Sequence, residues 1–159
     1  MLSVKIISVG TLKESYWRDA VAEYSKRLSA YCKLSVVELK ESRVSDSPSE
    51  REISAALDTE ALAILKEMSP RSYKIAMCVE GKQLTSEQLA ARIEKIGGEH
   101  SEICLVIGSS HGLSERVKAA CDMRLSVSEL TFPHQMLRVI LLEALYRAFN
   151  INAGTKYHK

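Results

Sequence analysis

The stretch Tyr73 to Ile107, YKIAMCVEGKQLTSEQLAARIEKIGGEHSEICLVI, carries the pattern that decides the fold. It opens and closes with short apolar runs, Tyr73 to Val79 and Ile103 to Ile107, which read as strands buried on both faces. Between them Leu89, Ile93 and Ile96 recur at helical spacing. Thr85 and Gln88 stand three apart ahead of that helix, the spacing of a capping box. Gly97-Gly98 is expected to close it. Two buried strands joined through a helix need a crossover connection, which makes the pair parallel.

The same alternation extends in both directions. Towards the N-terminus, Val4 to Val9 reads as a strand stopped by Gly10, and Leu34 to Leu39 as another. Trp17, Val21, Tyr24, Leu28 and Tyr31 line one helix face between them. The polar run Lys40 to Pro48 is the longest loop; Ile53, Leu57, Ala61, Ile64 and Met68 mark a helix ending before Pro70. Towards the C-terminus a short helix is expected from Ser114 to Cys121, a fifth strand near Arg124 to Val127, and a long helix from Pro133 to about Asn150. The prediction is one α/β domain over residues 1–159, a mainly parallel sheet with helices on both faces.

Composition narrows the functional classes. The chain is 46% hydrophobic and 26% charged, and no run approaches the roughly 20 apolar residues of a membrane span. The N-terminus passes straight into a strand pattern without the layout of a signal peptide. Cys32, Cys78, Cys104 and Cys121 form no Cys-x-x-Cys pair. Read as small buried hydrophobes of a reduced compartment, they point to the cytoplasm. His100, His111, His134 and His158 lack ligand spacing, so no metal site is expected. Net charge is only +2, but residues 131–159 hold Arg138, Arg147, Lys156 and Lys159 against the single acid Glu143. That basic end could supply phosphate contacts, but charge alone favours an ordinary solvated helix end and tail.

The last helix differs from the others. From Met136 to Phe149 it is apolar almost all round, broken mainly by Arg138, Glu143 and Arg147. It must be sandwiched within the domain or packed on a second copy; the preferred expectation is a homodimer. Glu143 and Arg147, four apart, are spaced to pair with each other.

Three segments could carry chemistry. Gly108-Ser109-Ser110-His111-Gly112 follows a buried strand and precedes a helix, where glycines let backbone amides approach a ligand; a tight turn explains them as well. It is neither the dinucleotide Gly-x-Gly-x-x-Gly nor a phosphate loop, which disfavours a dehydrogenase. Met77 to Lys82 and Ser126 to Phe132 end neighbouring strands, and three such loops at one sheet edge make a crevice. The hydroxyls of the latter suit an adenine or ribose. His134 and Arg138 share one helix face, although a lone histidine at a helix start is often just a local hydrogen bonder. Lys156-Tyr157-His158-Lys159 joins basic groups to an aromatic, as base stacking and backbone neutralisation require, while most termini are simply disordered. No Ser-His-Asp or Cys-His arrangement is suggested, so a self-contained reactive cofactor is attractive.

The segments Ile-Ile-Ser-Val-Gly-Thr-Leu-Lys-Glu-Ser-Tyr-Trp (6–17), Glu80-Gly81-Lys82, Ile107 to Leu113, Thr131-Phe132-Pro133-His134-Gln135-Met136, Glu143 to Ala148 and Tyr157-His158-Lys159 together resemble the ribosomal RNA large subunit methyltransferase H family, pseudouridine N3-methyltransferases of the SPOUT superfamily. The likeness runs over essentially the whole chain. It implies a deep C-terminal trefoil knot, an obligate homodimer and S-adenosylmethionine as methyl donor. The implied cofactor-binding residues are Met77, Gly108, Val127, Ser128, Glu129, Leu130, Thr131 and Phe132. The family usually shows a second glycine where this chain has Ser109. The implied substrate is a pseudouridine of large-subunit (23S) ribosomal RNA in the assembled ribosome, framed by His134, Arg138, Tyr157 and His158, with the tail drawn from either subunit. The rival readings are a SPOUT-like transfer-RNA methyltransferase and a non-catalytic ribosome-associated α/β binding module.

Overall fold

A computed structural model describes residues 1–159. Five strands form one sheet: β1 (Ser3–Val9), β2 (Lys33–Leu39), β3 (Tyr73–Gln83), β4 (Glu102–Ile107) and β5 (Met123–Ser126). Their order across it is β2-β1-β4-β3-β5, and every adjacent pair is parallel. The helices are α1 (Ser15–Leu28), α2 (Glu50–Glu67), α3 (Ser86–Glu99), α4 (Glu115–Ala119) and α5 (His134–Asn152). No helix is long and apolar enough to cross a membrane.

The sheet separates two apolar layers, as the near-continuous apolar strands require. Val4, Ile6, Ile75, Ile103 and Leu105 point towards α1, α3 and α5, whose Leu28, Ile93 and Leu145 meet them. Ile7, Val9, Ala76, Cys104 and Val106 point the other way, onto Ala61 and Ile64 of α2 and Val117 of α4. Burying each large aliphatic side chain contributes about 1.5–3 kcal/mol.

Local signals explain most helix starts. Ser49 and Ser114 each accept a bond from a backbone N–H three residues on, and Thr85 forms the full capping box with Gln88. Two boundaries depart from expectation. Gly97 and Gly98 do not end α3, which continues to Glu99. Neither glycine has a positive φ, and the helix runs on until the chain turns into β4. β3 does not stop at Val79. Both Met77 and Lys82 pair with Leu125, so the residues between them bulge out of the ladder before β3 resumes against Ser126.

α5 lies between α1 and α3 on one face of the sheet, and no residue from His134 to Ile151 is fully exposed. Sandwiching therefore accounts for much of its apolar circumference, while Met136, Val139 and Ile140 remain half-buried. Arg147 Nε donates to Glu143 Oε1 at 2.9 Å, the pairing that the four-residue spacing predicts.

Candidate functional site

The C-terminal ends of β3, β4 and β5 surround a cavity of about 680 Å³. This is where open parallel sheets bind ligands, and the volume suits a molecule of cofactor size. Its first wall is the β3 bulge, with Met77, Cys78, Val79 and Glu80. The second is the glycine loop from Ile107 to Leu113. The third runs from Leu125 to Ser128 and from Leu130 to Pro133, and His134 and Leu137 of α5 complete it.

Two glycines permit these walls to approach one another. A Cβ on Gly81 would lie 2.5 Å from the Leu125 carbonyl carbon and 2.7 Å from the Ser126 nitrogen, so the bulge fits over β5 only without a side chain. A Cβ on Gly108 would lie 2.3 Å from the Gly112 carbonyl oxygen. The loop thus folds back on itself, with Gly112 N donating to Ser109 O at 2.9 Å and Gly112 at φ +85°. In the third wall the Ser126 hydroxyl donates to Ser128 O at 3.0 Å, and Leu130 N donates to Ser128 Oγ at 3.0 Å. Those hydroxyls shape the turn.

Of the predicted cofactor contacts, Met77, Gly108, Val127, Ser128, Leu130, Thr131 and Phe132 line the cavity. Glu129 does not line it and is exposed. Cys78 and Glu80 line it as part of the Met77 to Lys82 segment, and Lys118 lines it without having been singled out. Cys78 is half-buried at the bulge, unlike the fully buried Cys104. The Lys118 ammonium pairs with Glu80, whose carboxyl is held below the usual range chiefly by that hydrogen bond. The near-continuous apolar run of β3 gives no sign of a bulge; Gly81 is the only local hint.

The four predicted substrate-framing residues do not converge within one chain. His134 lines the cavity, and its Nδ1 is buried without a hydrogen-bond partner. Burial pushes its imidazole below the ordinary histidine value, Glu41 opposing the shift and Arg138 reinforcing it. A depressed folded pKa means that the unfolded chain binds the proton more readily. Stability from this group is therefore present above the ordinary pKa of 6.5 and is lost as pH falls through 6.5 towards the folded value. We expect the urea midpoint to drop between pH 7.5 and 5.5, and less so in His134→Gln; equal drops would remove His134 as the source.

Arg138 does not line the cavity. Only 3% exposed, it donates to Glu38 Oε2 at 2.7 Å, to Gly10 O at 2.8 Å and to Val9 O at 3.2 Å. It thereby ties α5 to the ends of β1 and β2. Tyr157 and His158 belong to a tail that folds back along α5 to about its middle. The Tyr157 hydroxyl donates to Glu143 Oε2 at 2.8 Å, and His158 Nε2 stands 2.9 Å from Glu87 Oε1. Burial and the Glu143 carboxylate push the Tyr24 phenol beside this cluster up to about 12. Arg147 lies over the Tyr157 ring, 4.7 Å from its centroid.

The tail's reach is limited. His134 and Asn152 are 18 residues apart along α5, about 27 Å at helical rise. The five residues from Asn152 to Tyr157 span about 17 Å when fully extended. The backbone of Tyr157 therefore cannot be carried to His134 of its own chain while α5 stays helical. No group of three or more His, Cys, Asp or Glu side chains is disposed to hold a metal.

A family model described as "Predicted SPOUT methyltransferase" matches residues 2–158. The chain is 49% identical over 162 residues to the ribosomal RNA large subunit methyltransferase H of Bifidobacterium adolescentis, with 99% of this chain and all of that protein covered. It is 47% identical to the protein of the same name from Clostridium novyi and 43% identical to that from Bacillus pumilus, again over 99% of this chain and all of each relative. Among solved structures, a probable methylase family protein from Haemophilus influenzae Rd KW20 superposes with a TM-score of 0.57 at 18% identity, covering all of this chain and 72% of that one. That likeness is one of fold.

Proposed function

The chain belongs to the SPOUT methyltransferase family, and on that premise we propose that it methylates N3 of a pseudouridine in large-subunit ribosomal RNA, acting as a homodimer on the assembled ribosome. The observation that carries the reading is the cavity at the ends of β3, β4 and β5, walled by the segments in which the chain resembles ribosomal RNA large subunit methyltransferases H.

S-adenosylmethionine fits this cavity in volume and character: about 680 Å³, with an apolar floor and a rim of backbone and hydroxyl groups. Met77, Gly108 and the turn from Val127 to Phe132 would hold it, with Glu129 exposed in that turn. Bound there, it supplies an electrophilic methyl group on a positively charged sulfur. The remaining work falls to the protein and is mostly positioning of the acceptor ring, together with removal of the N3 proton. The His134 ring lines the cavity, and burial favours its neutral form. It is placed to accept a hydrogen bond from the base or its departing proton. Arg138 fixes the first turn of α5 beneath it through Glu38, Val9 and Gly10.

Tyr157 and His158 complete the frame from the partner subunit. The support is where one chain's tail sits, with Tyr157 bonded to Glu143 at the middle of α5 and His158 beside Glu87, neither of them at His134. The half-buried apolar residues of α5, among them Val139 and Ile140, suit burial against the second copy. The trefoil knot implied by the resemblance is proposed for residues 73–159, supported by the closeness with which the bulge around Gly81 wraps β5.

Mass spectrometry of ribosomal RNA from cells lacking the gene tests substrate and reaction together. One methylated pseudouridine is expected to disappear and to return on complementation; an unchanged RNA would overturn the proposal. In vitro, His134→Ala and His158→Ala are expected to lower methyl transfer by about 10²-fold or more. Near-normal turnover in both would remove these residues from the mechanism.

A further inference from the structure

Glu60 is a buried acid that neither the apolar core nor the cavity lining explains. It sits on α2, 5% exposed, on a helix face otherwise made of Ala56, Ala61 and Ile64. A carboxylate in such surroundings is costly unless its oxygens are bonded, and a fold needing only packing there is served better by an apolar side chain. Each of its oxygens takes a donor from a different loop. Oε2 accepts from Ser42 N at 2.9 Å, in the irregular chain after β2, and Oε1 accepts from the buried Ser109 hydroxyl at 3.0 Å, in the glycine loop. One residue along each loop a second tie repeats the link, Ser110 Oγ donating to Glu41 Oε1 at 3.4 Å.

We propose that Glu60 is a positioning residue for the methyl donor. It clamps the glycine loop from behind, through the Ser109 hydroxyl, and holds that wall of the cavity at the separation the donor requires. It does not touch the donor. The tie depends on Ser109, which stands where the resembling family usually shows glycine, so the device belongs to chains with a hydroxyl at that position. The inference rests on the methyltransferase reading above for the identity of the ligand, but not for the clamp itself.

The test measures S-adenosylmethionine affinity by calorimetry and amide hydrogen exchange across residues 108–112 and 41–45, in the full-length protein and in Glu60→Ala, Glu60→Gln and Ser109→Ala. The clamp predicts affinity about tenfold weaker in Glu60→Ala and a few-fold weaker in Ser109→Ala, the scale of one or two lost hydrogen bonds. Glu60→Gln should stay close to the parent, because the amide oxygen still accepts from Ser42 N and the amide NH2 can donate to Ser109 Oγ. Both loop segments should exchange faster in Glu60→Ala. In the Glu60→Ala/Ser109→Ala double variant the Ser109 change should add nothing further, because Glu60→Ala has already removed the bond that the Ser109 hydroxyl makes. Affinity within twofold of the parent in folded Glu60→Ala overturns the proposal. If that variant does not fold, unchanged affinity in Ser109→Ala does so. A parent protein that fails to bind S-adenosylmethionine would sink the cofactor reading instead. The clamp then stands or falls on whether the two loops lose protection together.

Discussion

Gly108→Ala is expected to disrupt the cavity and to destabilise the protein by about 3 kcal/mol. The added methyl would stand 2.3 Å from the Gly112 carbonyl oxygen, 2.5 Å from the Gly112 carbonyl carbon and 3.1 Å from Leu113 Cδ2. The first two contacts are backbone and cannot rotate away. Relief requires the turn to open, which breaks the bond from Gly112 N to Ser109 O and moves one wall of the cavity by about an ångström. Misplacement on that scale costs roughly 100-fold in rate even where chemistry is otherwise intact. Gly98→Ala is the matched control. Gly98 lies within α3 and a Cβ there meets nothing within 4 Å, so alanine should raise stability by about 0.5–1 kcal/mol and leave methyl transfer unchanged. Thermal unfolding with single-turnover methyl transfer reads both. A Gly108→Ala protein with parental turnover would show that the loop is not a wall of the donor site.

Arg138→Met is expected to cost about 2–4 kcal/mol, roughly 6–12 °C in Tm for a chain of this size. The substitution preserves most of the side-chain volume but removes the donor to two carbonyls, Val9 O and Gly10 O, and leaves the Glu38 carboxylate with its bond from Leu12 N but without its cation. Because the Glu38 side chain is 39% exposed, the larger part of the loss falls on the buried carbonyls and not on the ion pair. Arg138→Lys should recover only part of it, since one ammonium cannot reproduce the fork that reaches a carboxylate and two carbonyls. The same pair of variants decides how Arg138 contributes. A positioning role predicts that folded Arg138→Met at low temperature loses rate in step with the disturbance of His134. Full stability with collapsed turnover would mean that Arg138 itself contacts substrate.

Both predictions rest on contacts that the sequence conceals, although the architecture around them is plain in it. The Thr85–Gln88 capping box, the strand–helix alternation and the glycine loop after β4 are local patterns, and each appears where periodicity places it. What stays hidden is set by partners far along the chain. Arg138 and His134 share a helix face, which suggests that they work together on a ligand. Yet Arg138 finds Glu38, 100 residues away, and turns into the protein. Glu60 resembles any other acid of a helix until Ser109, 49 positions on, is brought against it. Gly97 and Gly98 mislead for the opposite reason: two glycines weaken a helix by propensity, yet α3 runs on to Glu99 and only His100 and Ser101 separate it from β4. The tail motif is legible as chemistry and silent as geometry, because nothing in its residues says how far α5 carries it from the cavity.

The way β5 is held bears on how the molecule comes into being. Four residues long and at the edge of the sheet, β5 pairs with β3 alone, on either side of the bulge around Gly81. Such an edge has nothing to dock onto until β3 has formed and acquired its kink, and the loop closed by that pairing must lose its entropy before any contact rewards it. The donor cavity is therefore a late product of folding. During synthesis the first hundred residues can pair only β1 with β2, because β4 lies between β1 and β3 and begins at Glu102, so the sheet and the cavity at its edge are completed only after the last third has been released and fitted into place.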